Sequence, residues 1–163
     1  MRISYDSVSS EYLYPLSRRD VARIAEHIPQ EIWGAIRRIR FGCSRKSPLE
    51  GRTLKRGTSY DIRVNFCVRR VGKDLESLLL SERSRYVEEI EKYGGTPDLT
   101  RKTVAWDLKG AKRYAYYVIL HEIAHVAYAL TFPQSSMSPW RSVPGEEDWC
   151  DNYSAHLTQK IDS

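Results

Sequence analysis

The feature that most constrains this chain is a set of three polar residues inside an otherwise apolar segment. His121, Glu122 and His125 interrupt the flanking runs YYVIL and VAYAL. Polar groups buried in such a segment lower stability unless other groups satisfy them. Four residues make slightly more than one helical turn, so the two histidines project from the same face of a helix. Ile123 and Val126 would pack this helix into the core and leave the histidine face towards a cleft.

The segment reads His-Glu-x-x-His, and this spacing lets two imidazoles on one helix share a single zinc ion. Glu122 lies beside His121 and can hold a water molecule instead of the metal. The alternative interpretation gives His121 and His125 a structural role only, with hydrogen bonds to the backbone or to carboxylates. Their pairing on one helix face together with Glu122 favours the metal.

A third ligand must come from elsewhere in the chain, because a catalytic zinc site normally has three protein ligands and a water molecule. Glu146, Glu147 and His156 are the candidates in the last predicted helix. Glu147 and Asp151 are four residues apart and share one helix face. A carboxylate at the second position can accept the free ring N–H of a ligating histidine. The alternative is an acidic helix start that the helix dipole alone stabilises.

In these residues the chain resembles the gluzincin metallopeptidases, in which a later helix supplies a glutamate ligand and an aspartate beyond it supports a histidine ligand. Here Glu147 follows His125 after 21 intervening residues, and Asp151 comes next at the i+4 position. The stretch EDWCDNYS is similar to the E-x-x-A-N/D-x-F-A pattern of the ImmA/IrrE-like family, with Cys150 in place of the alanine. The resemblance covers residues 109–160.

The resemblance implies an α+β, zincin-like fold and one Zn²⁺ per chain, bound by His121, His125 and Glu147, with Asp151 supporting a histidine. It implies a cytosolic zinc metalloprotease that hydrolyses peptide bonds in a specific protein partner. Zinc would lower the pKa of its bound water towards about 7 and polarise the scissile carbonyl. Glu122 would take the proton of the water as general base and later deliver it to the leaving amine.

The oxyanion and the substrate need further groups. A hydrogen-bond donor for the oxyanion would come from Tyr128, Arg141, Tyr153 or His156. The β-prone run of residues 103–106 is predicted to be an edge strand that lines the cleft. A peptide substrate would then bind by adding a strand to that edge.

Charge is distributed unevenly along the chain. Residues 1–70 carry 15 basic and 7 acidic side chains, whereas residues 71–163 carry 11 and 14. The segment of residues 37–56 is the densest in basic residues. The basic patch predicted from it consists of Arg37, Arg38, Arg40, Arg45, Lys46, Arg52, Lys55 and Arg56. Such a patch could attract phosphate backbones or an acidic protein. Because no nucleic-acid-binding motif accompanies the charge, a solvated face that only maintains solubility is the favoured interpretation.

The basic patch supports an alternative function. In this alternative the chain is a non-catalytic zinc-fold module that binds nucleic acid or an acidic protein through the patch. A third hypothesis is a metalloprotease recruited to nucleic acid, similar to the SprT-like proteases, whose third ligand would be a histidine. The chain has no histidine at the short spacing which that family uses.

The length of 163 residues indicates one domain, residues 1–163, with a basic helix and strand half (1–70) and a zinc-site half (71–163). Its predicted α+β class combines a small antiparallel or mixed sheet with the histidine-bearing helix and a following ligand-bearing helix. Ser17 caps a helix that ends before Pro29, and the segment RIRFG is a strand. The other predicted elements are a strand over residues 60–68 with one buried and one wet face, a helix over 74–93, the edge strand over 103–106, a helix from 109 to before Pro133, a loop over 131–145 and a helix over 146–161.

Location is predicted from three absences in the sequence. No apolar run is long enough to span a bilayer, and the N-terminal segment lacks the apolar region of a secretory signal. Cys43, Cys67 and Cys150 are odd in number and form no Cys-x-x-Cys pair, so they are predicted to be reduced thiols. Together these features predict a cytoplasmic protein that does not interact with a membrane.

Overall fold

The computed structural model describes residues 1–43, 50–133 and 144–162, which combine two small sheets with helices. This arrangement confirms the predicted α+β class. The elements are β1 (Arg2–Tyr5), β2 (Tyr12–Leu13), α1 (Arg18–Ala25), α2 (Gln30–Ala35), β3 (Ile36–Phe41), β4 (Gly51–Arg56), β5 (Ser59–Val64), β6 (Val68–Val71), β7 (Asp74–Leu78), α3 (Ser84–Lys92), β8 (Thr96–Asp98), β9 (Thr103–Trp106), α4 (Leu108–Thr131) and α5 (Glu146–Asp162).

The predicted first helix and the strand after it are both confirmed. The Ser17 hydroxyl accepts a hydrogen bond from the backbone N–H of Asp20, and the Asp20 carboxylate accepts one from the backbone N–H of Ser17. This capping box fixes the start of α1, whose apolar stripe buries Val21 and Ile24. The short helix α2 then leads directly into β3, so the segment RIRFG is a strand.

The first sheet has the strand order β1-β3-β5-β4. Strands β1, β3 and β5 are parallel, whereas β4 is antiparallel to β5 and forms one edge of the sheet. Gly57, at φ 63°, lies in the tight turn between β4 and β5, where a left-handed backbone favours glycine. The inner face carries Ile39 and Ile62, which are buried, and helix α4 packs on this face.

The second sheet is antiparallel throughout, with the order β2-β6-β7-β9-β8. Strand β9 lies between β7 and β8, so the prediction that residues 103–106 form an edge strand is wrong. The prediction of one helix over residues 74–93 is also wrong in its first part, which is strand β7. Pairing with β6 on one side and β9 on the other outweighs the helical composition of that segment.

The alternating segment of residues 60–68 is divided between the two sheets. Strand β5 ends at Val64 and β6 begins at Val68, so the prediction of one continuous strand is wrong. Phe66 stays buried in the connection, which is why the alternating pattern continues across the break. The face predicted to be wet contains a buried residue, Asp61, which is 5% exposed.

The core is one cluster that takes residues from both predicted halves of the chain, from Leu16 to Ile161. Helix α4 is the longest element of this core, and its residues Ile119, Ile123 and Val126 are fully inaccessible to solvent. Leu130, one turn beyond Val126, is 41% exposed. Among the residues that the structure describes, no helix combines the length and apolar character needed to cross a membrane.

The cysteines differ from their prediction as reduced thiols. Cys43 and Cys67 form a disulfide, whereas Cys150 is free and buried. Cys43 follows β3 and Cys67 lies just beyond β5, and these two strands are parallel neighbours in the first sheet. The strand pairing brings their Cα atoms to 5.4 Å, within the usual range for a disulfide. A separation of 24 residues hides this proximity in the sequence.

Candidate metal centre

Helix α4 presents the two histidines as the spacing predicts. The side chains of His121 and His125 are 17% and 13% exposed, and their ring centroids are 4.9 Å apart. Each lies one turn from the other on the face that α5 covers, while Ile119 and Ile123 point into the core. The polar interruption of the apolar segment therefore forms a single half-buried site.

Glu147, in the first turn of α5, brings a carboxylate to both imidazoles. One carboxylate oxygen lies 3.2 Å from His121 Nε2 and the other lies 3.8 Å from His125 Nε2. Ligand atoms of the three residues lie within 4.8 Å of one another. Donors about 2.1 Å from a tetrahedral zinc ion are about 3.4 Å apart, so this nitrogen, nitrogen and oxygen set fits such an ion.

The second nitrogen of each imidazole faces its own carboxylate. His125 Nδ1 lies 2.7 Å from Glu146 Oε1, and His121 Nδ1 lies 2.9 Å from Asp151 Oδ1. The His121 contact is at ion-pair distance without the alignment of a good hydrogen bond. Carboxylates at these positions select the tautomer that leaves Nε2 available to a metal. Glu146, an alternative third ligand in the sequence, is thus a partner of His125 and is 3% exposed.

Asp151 is itself held by two further side chains. Arg85, which belongs to α3, pairs with Asp151 and also lies 3.2 Å from Asp148. Tyr117, one turn before His121, donates a hydrogen bond of 3.2 Å to Asp151 Oδ1. Burial opposes ionisation of Asp151, but its contacts with His121 and Arg85 lower its pKa to about 2. Asp151 is therefore an anion at neutral pH. Neither Arg85 nor Tyr117 is identifiable from the sequence, because their contacts depend on how α3 and α4 pack against α5.

The carboxylates also determine the protonation of the potential ligands when no metal ion is bound. Burial lowers the pKa of His121, but the contacts with Asp151 and Glu147 outweigh burial and raise it to about 10. The contact with His121 lowers the pKa of Glu147. The cluster thus stabilises positive charge between the carboxylates, the condition in which a cation binds in place of the protons.

Glu122 points from α4 towards strand β4. The Thr53 hydroxyl lies 2.7 Å from Glu122 Oε2 and 2.8 Å from the backbone oxygen of Glu122. Gly51 lies so close that a Cβ atom there would be 2.3 Å from Glu122 Oε1. Burial raises the pKa of Glu122, which is 6% exposed. Gly51 and Thr53 were missed in the sequence because only the position of β4 against α4 reveals their role.

The remaining predicted site residues are not among the three potential ligands. Within the described residues, the potential ligand group contains neither Glu146 nor His156. The ring of Tyr153 stacks on Trp149 at 5.0 Å, and Tyr128 packs edge-on against the same Trp149. Arg141 lies outside the described residues. Cys150, in the position where the ImmA/IrrE-like pattern has alanine, is buried with its sulfur 3.5 Å from His125 Nδ1.

Six members of the predicted basic patch lie on the first sheet, five of them on one face. Arg37, Arg38 and Arg40 are in β3, and Arg52 and Arg56 are in β4. Lys55 alternates with its neighbours and shares the face of Thr53, so it lies on the opposite side of the sheet from Arg52 and Arg56. The remaining two, Arg45 and Lys46, lie outside the described residues.

Comparisons of the chain with protein-family models, with curated proteins and with solved structures found no match. The assignment of the site therefore depends on its own geometry and chemistry.

Proposed function

We propose that this protein is a zinc-dependent metallopeptidase with a zincin-like fold, which cleaves a specific protein partner. The observation that carries the proposal is the convergence of His121 Nε2, His125 Nε2 and the Glu147 carboxylate, with a separate carboxylate facing the Nδ1 atom of each histidine. A neutral imidazole has a single N–H, so only one of its nitrogens can donate a hydrogen bond to a carboxylate. Here both nitrogens of both rings face carboxylates, which is the arrangement of metal-ligating imidazoles.

His121, His125 and Glu147 would hold one zinc ion. When bound, zinc lowers the pKa of a water molecule towards about 7 and polarises a substrate carbonyl. Glu122 is the proton acceptor beside the three ligands. Burial raises its pKa and thus favours the neutral acid, which is the form that Glu122 has after it takes a proton. Glu122 then donates this proton to the nitrogen of the leaving amine. Thr53 holds the Glu122 side chain by its hydroxyl, which fixes the direction of transfer.

Strand β4 is the substrate-binding edge in this proposal. Within the described residues, β4 pairs with β5 on one side only, and its inner face contacts Glu122. An extended peptide that adds to its free side would run beside the proton acceptor. This role replaces the one that the sequence suggested for residues 103–106, which have a neighbouring strand on each side.

The cytoplasmic location remains part of the proposal, but the cysteines no longer support it. The disulfide between Cys43 and Cys67 is of a kind that persists in oxidising compartments. The alternative function, a zinc-fold module without turnover, retains the same metal ligands and differs only in the absence of cleavage.

The test compares wild type with Glu122→Gln and His125→Ala. Zinc content is measured by mass spectrometry after loading and desalting, and cleavage is measured as new amino termini in a mixed peptide library. We expect about one zinc per chain in wild type and Glu122→Gln, loss of zinc in His125→Ala, and cleavage by wild type alone. Zinc-free wild type overturns the metal site. Zinc-loaded wild type that cleaves nothing overturns the peptidase and supports the module without turnover.

A further inference from the structure

The outer face of the first sheet, which points away from α4, is covered with arginines. We call this surface the arginine face, and its members come from all four strands. They are Arg2, Arg37, Arg38, Arg40, Arg52, Arg56 and Arg63. Only five of them belong to the basic segment recognised in the sequence. Arg2 and Arg63 join them through strand pairing.

The strand register places these charges in rows. Arg40 in β3 is directly opposite Arg63 in β5, and Arg63 is directly opposite Arg52 in β4. In the next row Arg2 in β1 is opposite Arg38 in β3. Like charges directly opposite one another destabilise a sheet. Arg40 contacts Asp6 at 2.6 Å and Arg63 Nε donates a hydrogen bond of 2.8 Å to Asn65 Oδ1, so contacts within the protein offset this repulsion while the row concentrates positive charge.

Two aspartates balance only part of this charge. Asp61 lies beneath the surface and contacts Arg37 at 2.6 Å and Arg38 at 3.0 Å, and Asp6 contacts Arg40 at 2.6 Å. The Asp61 side chain is 6% exposed, whereas those of Arg37 and Arg38 are 57% and 41% exposed. The aspartates thus orient guanidinium groups whose outer edges remain in solvent. Exposed guanidinium groups, those of Arg2, Arg37, Arg40 and Arg56 among them, give the face a net positive charge.

The chemistry of the face selects the kind of ligand. Ser4, Leu54, Ser59 and Asp61 are the other outward residues of the paired rows, and no aromatic side chain lies among them. Bases of single-stranded nucleic acid bind by stacking on aromatic rings, so this face is not suited to them. Guanidinium groups bind phosphate oxygens through pairs of parallel hydrogen bonds.

We propose that the arginine face binds the phosphate backbone of double-stranded nucleic acid without reading its sequence. With strands about 4.8 Å apart and alternate residues about 6.7 Å apart, four strands give an array about 14 Å wide. Charges spread over two dimensions match the flank of a duplex, whereas an extended acidic peptide would meet a single row. This inference goes beyond the proposed peptidase and does not depend on it.

The experiment measures binding of a fluorescently labelled DNA duplex of about 20 base pairs by anisotropy at several salt concentrations. We expect a dissociation constant of about 10⁻⁶–10⁻⁴ M near physiological salt, with a steep loss of affinity as salt rises. The variant Arg40→Glu/Arg63→Glu weakens binding at least about tenfold and makes the slope of log affinity against log salt shallower by about two. Removal of metal with EDTA changes neither value.

The matched control is Lys73→Glu/Lys109→Glu, which changes net charge equally at two exposed lysines away from this face. It is expected to weaken binding less than about threefold. Equal weakening by the control overturns the proposal, because net charge alone then explains the binding. Absence of duplex binding by wild type at about 50 mM salt also overturns it.

Two further measurements test whether misfolding of the variant or an acidic protein partner explains the result. Arg40→Gln/Arg63→Gln removes charge without reversing it and is expected to lose about half as much binding free energy, which covers the case in which the glutamate variant fails to fold. Unlabelled poly-L-glutamate competes with labelled duplex in the second arm. If it displaces the duplex better than unlabelled duplex of equal charge, the partner is an acidic protein and the proposal is wrong.

Discussion

The candidate metal centre and the arginine face both concentrate charge, but they differ in how far opposite charges are paired within the protein. In the candidate metal centre, each charged group has a partner of opposite charge. The two half-buried histidines face the carboxylates of Glu146, Glu147 and Asp151. On the arginine face, exposed guanidiniums outnumber the two aspartates beneath them. Burial makes unpaired charge costly, whereas water and salt screen it at a surface. Charge balance is thus obligatory in the first region, whereas the second region tolerates an excess of one sign and is the surface for which we propose an external partner.

Strand β4 connects the two regions. Its inner residue Thr53 holds Glu122, and its outer residues Arg52 and Arg56 belong to the arginine face. Changes to this strand therefore reach both sites, while changes to α5 reach only the metal centre. The following substitutions separate the two regions, from the largest expected effect to the smallest.

The largest effect is expected from Glu147→Ala, which removes a proposed ligand and leaves the arginine face intact. Zinc affinity, measured by competition with a chromogenic chelator, should fall more than about 100-fold. The matched change Glu146→Gln alters only the partner of His125 Nδ1 and should cost about 10- to 100-fold. A larger loss in Glu146→Gln than in Glu147→Ala would show that Glu146 is the ligand.

Gly51→Ala tests whether β4 positions the proton acceptor. The added Cβ would lie 2.3 Å from Glu122 Oε1, so the carboxylate must move. Peptide cleavage should fall by about 100-fold or more, the usual contribution of a general base, while zinc content stays at the wild-type level. Gly34→Ala is the control, because nothing lies within 4 Å of a Cβ there. Undiminished cleavage in Gly51→Ala would contradict the assigned position of Glu122.

Glu50→Gln tests a buried carboxyl group immediately before β4. The hydroxyls of Tyr86 and Tyr114 donate hydrogen bonds to Glu50, but burial outweighs them and raises its pKa from 4.5 to about 7. The folded protein therefore holds this proton more tightly than the unfolded chain, and wild-type stability should fall by about 1–3 kcal/mol as pH rises from about 4.5 to 7.

Urea unfolding at several pH values measures this dependence. Glu50→Gln, which does not titrate, should gain stability relative to wild type by the same amount between pH 4.5 and 8. A constant difference between the two proteins across this range would show that Glu50 is ionised throughout. Zinc content should be the same in both.

The smallest effect is expected from Asp61→Asn on the arginine face. Hydrogen bonds from Arg37 lower the pKa of Asp61, so it stabilises the fold at neutral pH and loses this contribution as pH falls through its lowered value. The substitution should cost less than about 1 kcal/mol, because its partners are largely exposed. Duplex affinity should rise a few-fold, since the face gains net positive charge. Asp74→Asn is the control, and equal gains in affinity from both would disprove a local effect.

The sequence predicted the local structure of the metal centre better than that of the sheets. The i, i+4 spacings of His121 and His125 and of Glu147 and Asp151 are properties of a helix, and both helices formed where expected. Residues 74–93 and 103–106 were assigned incorrectly because strand identity depends on partners that are distant in the chain. The disulfide between Cys43 and Cys67 was missed for the same reason.

The sequence by itself determined the two helices and the faces on which their polar residues lie, because helical hydrogen bonds and side-chain spacing are local. Only the tertiary structure decided that Glu146 contacts His125 while Glu147 lies between both rings. Which of two adjacent helix residues faces a site depends on how that helix is rotated against its neighbour.

The tertiary structure also decided that Gly51 and Thr53 contact Glu122, and that Arg2 and Arg63 complete the arginine face. Strand register and packing create such contacts between distant parts of the chain, and no local pattern records them.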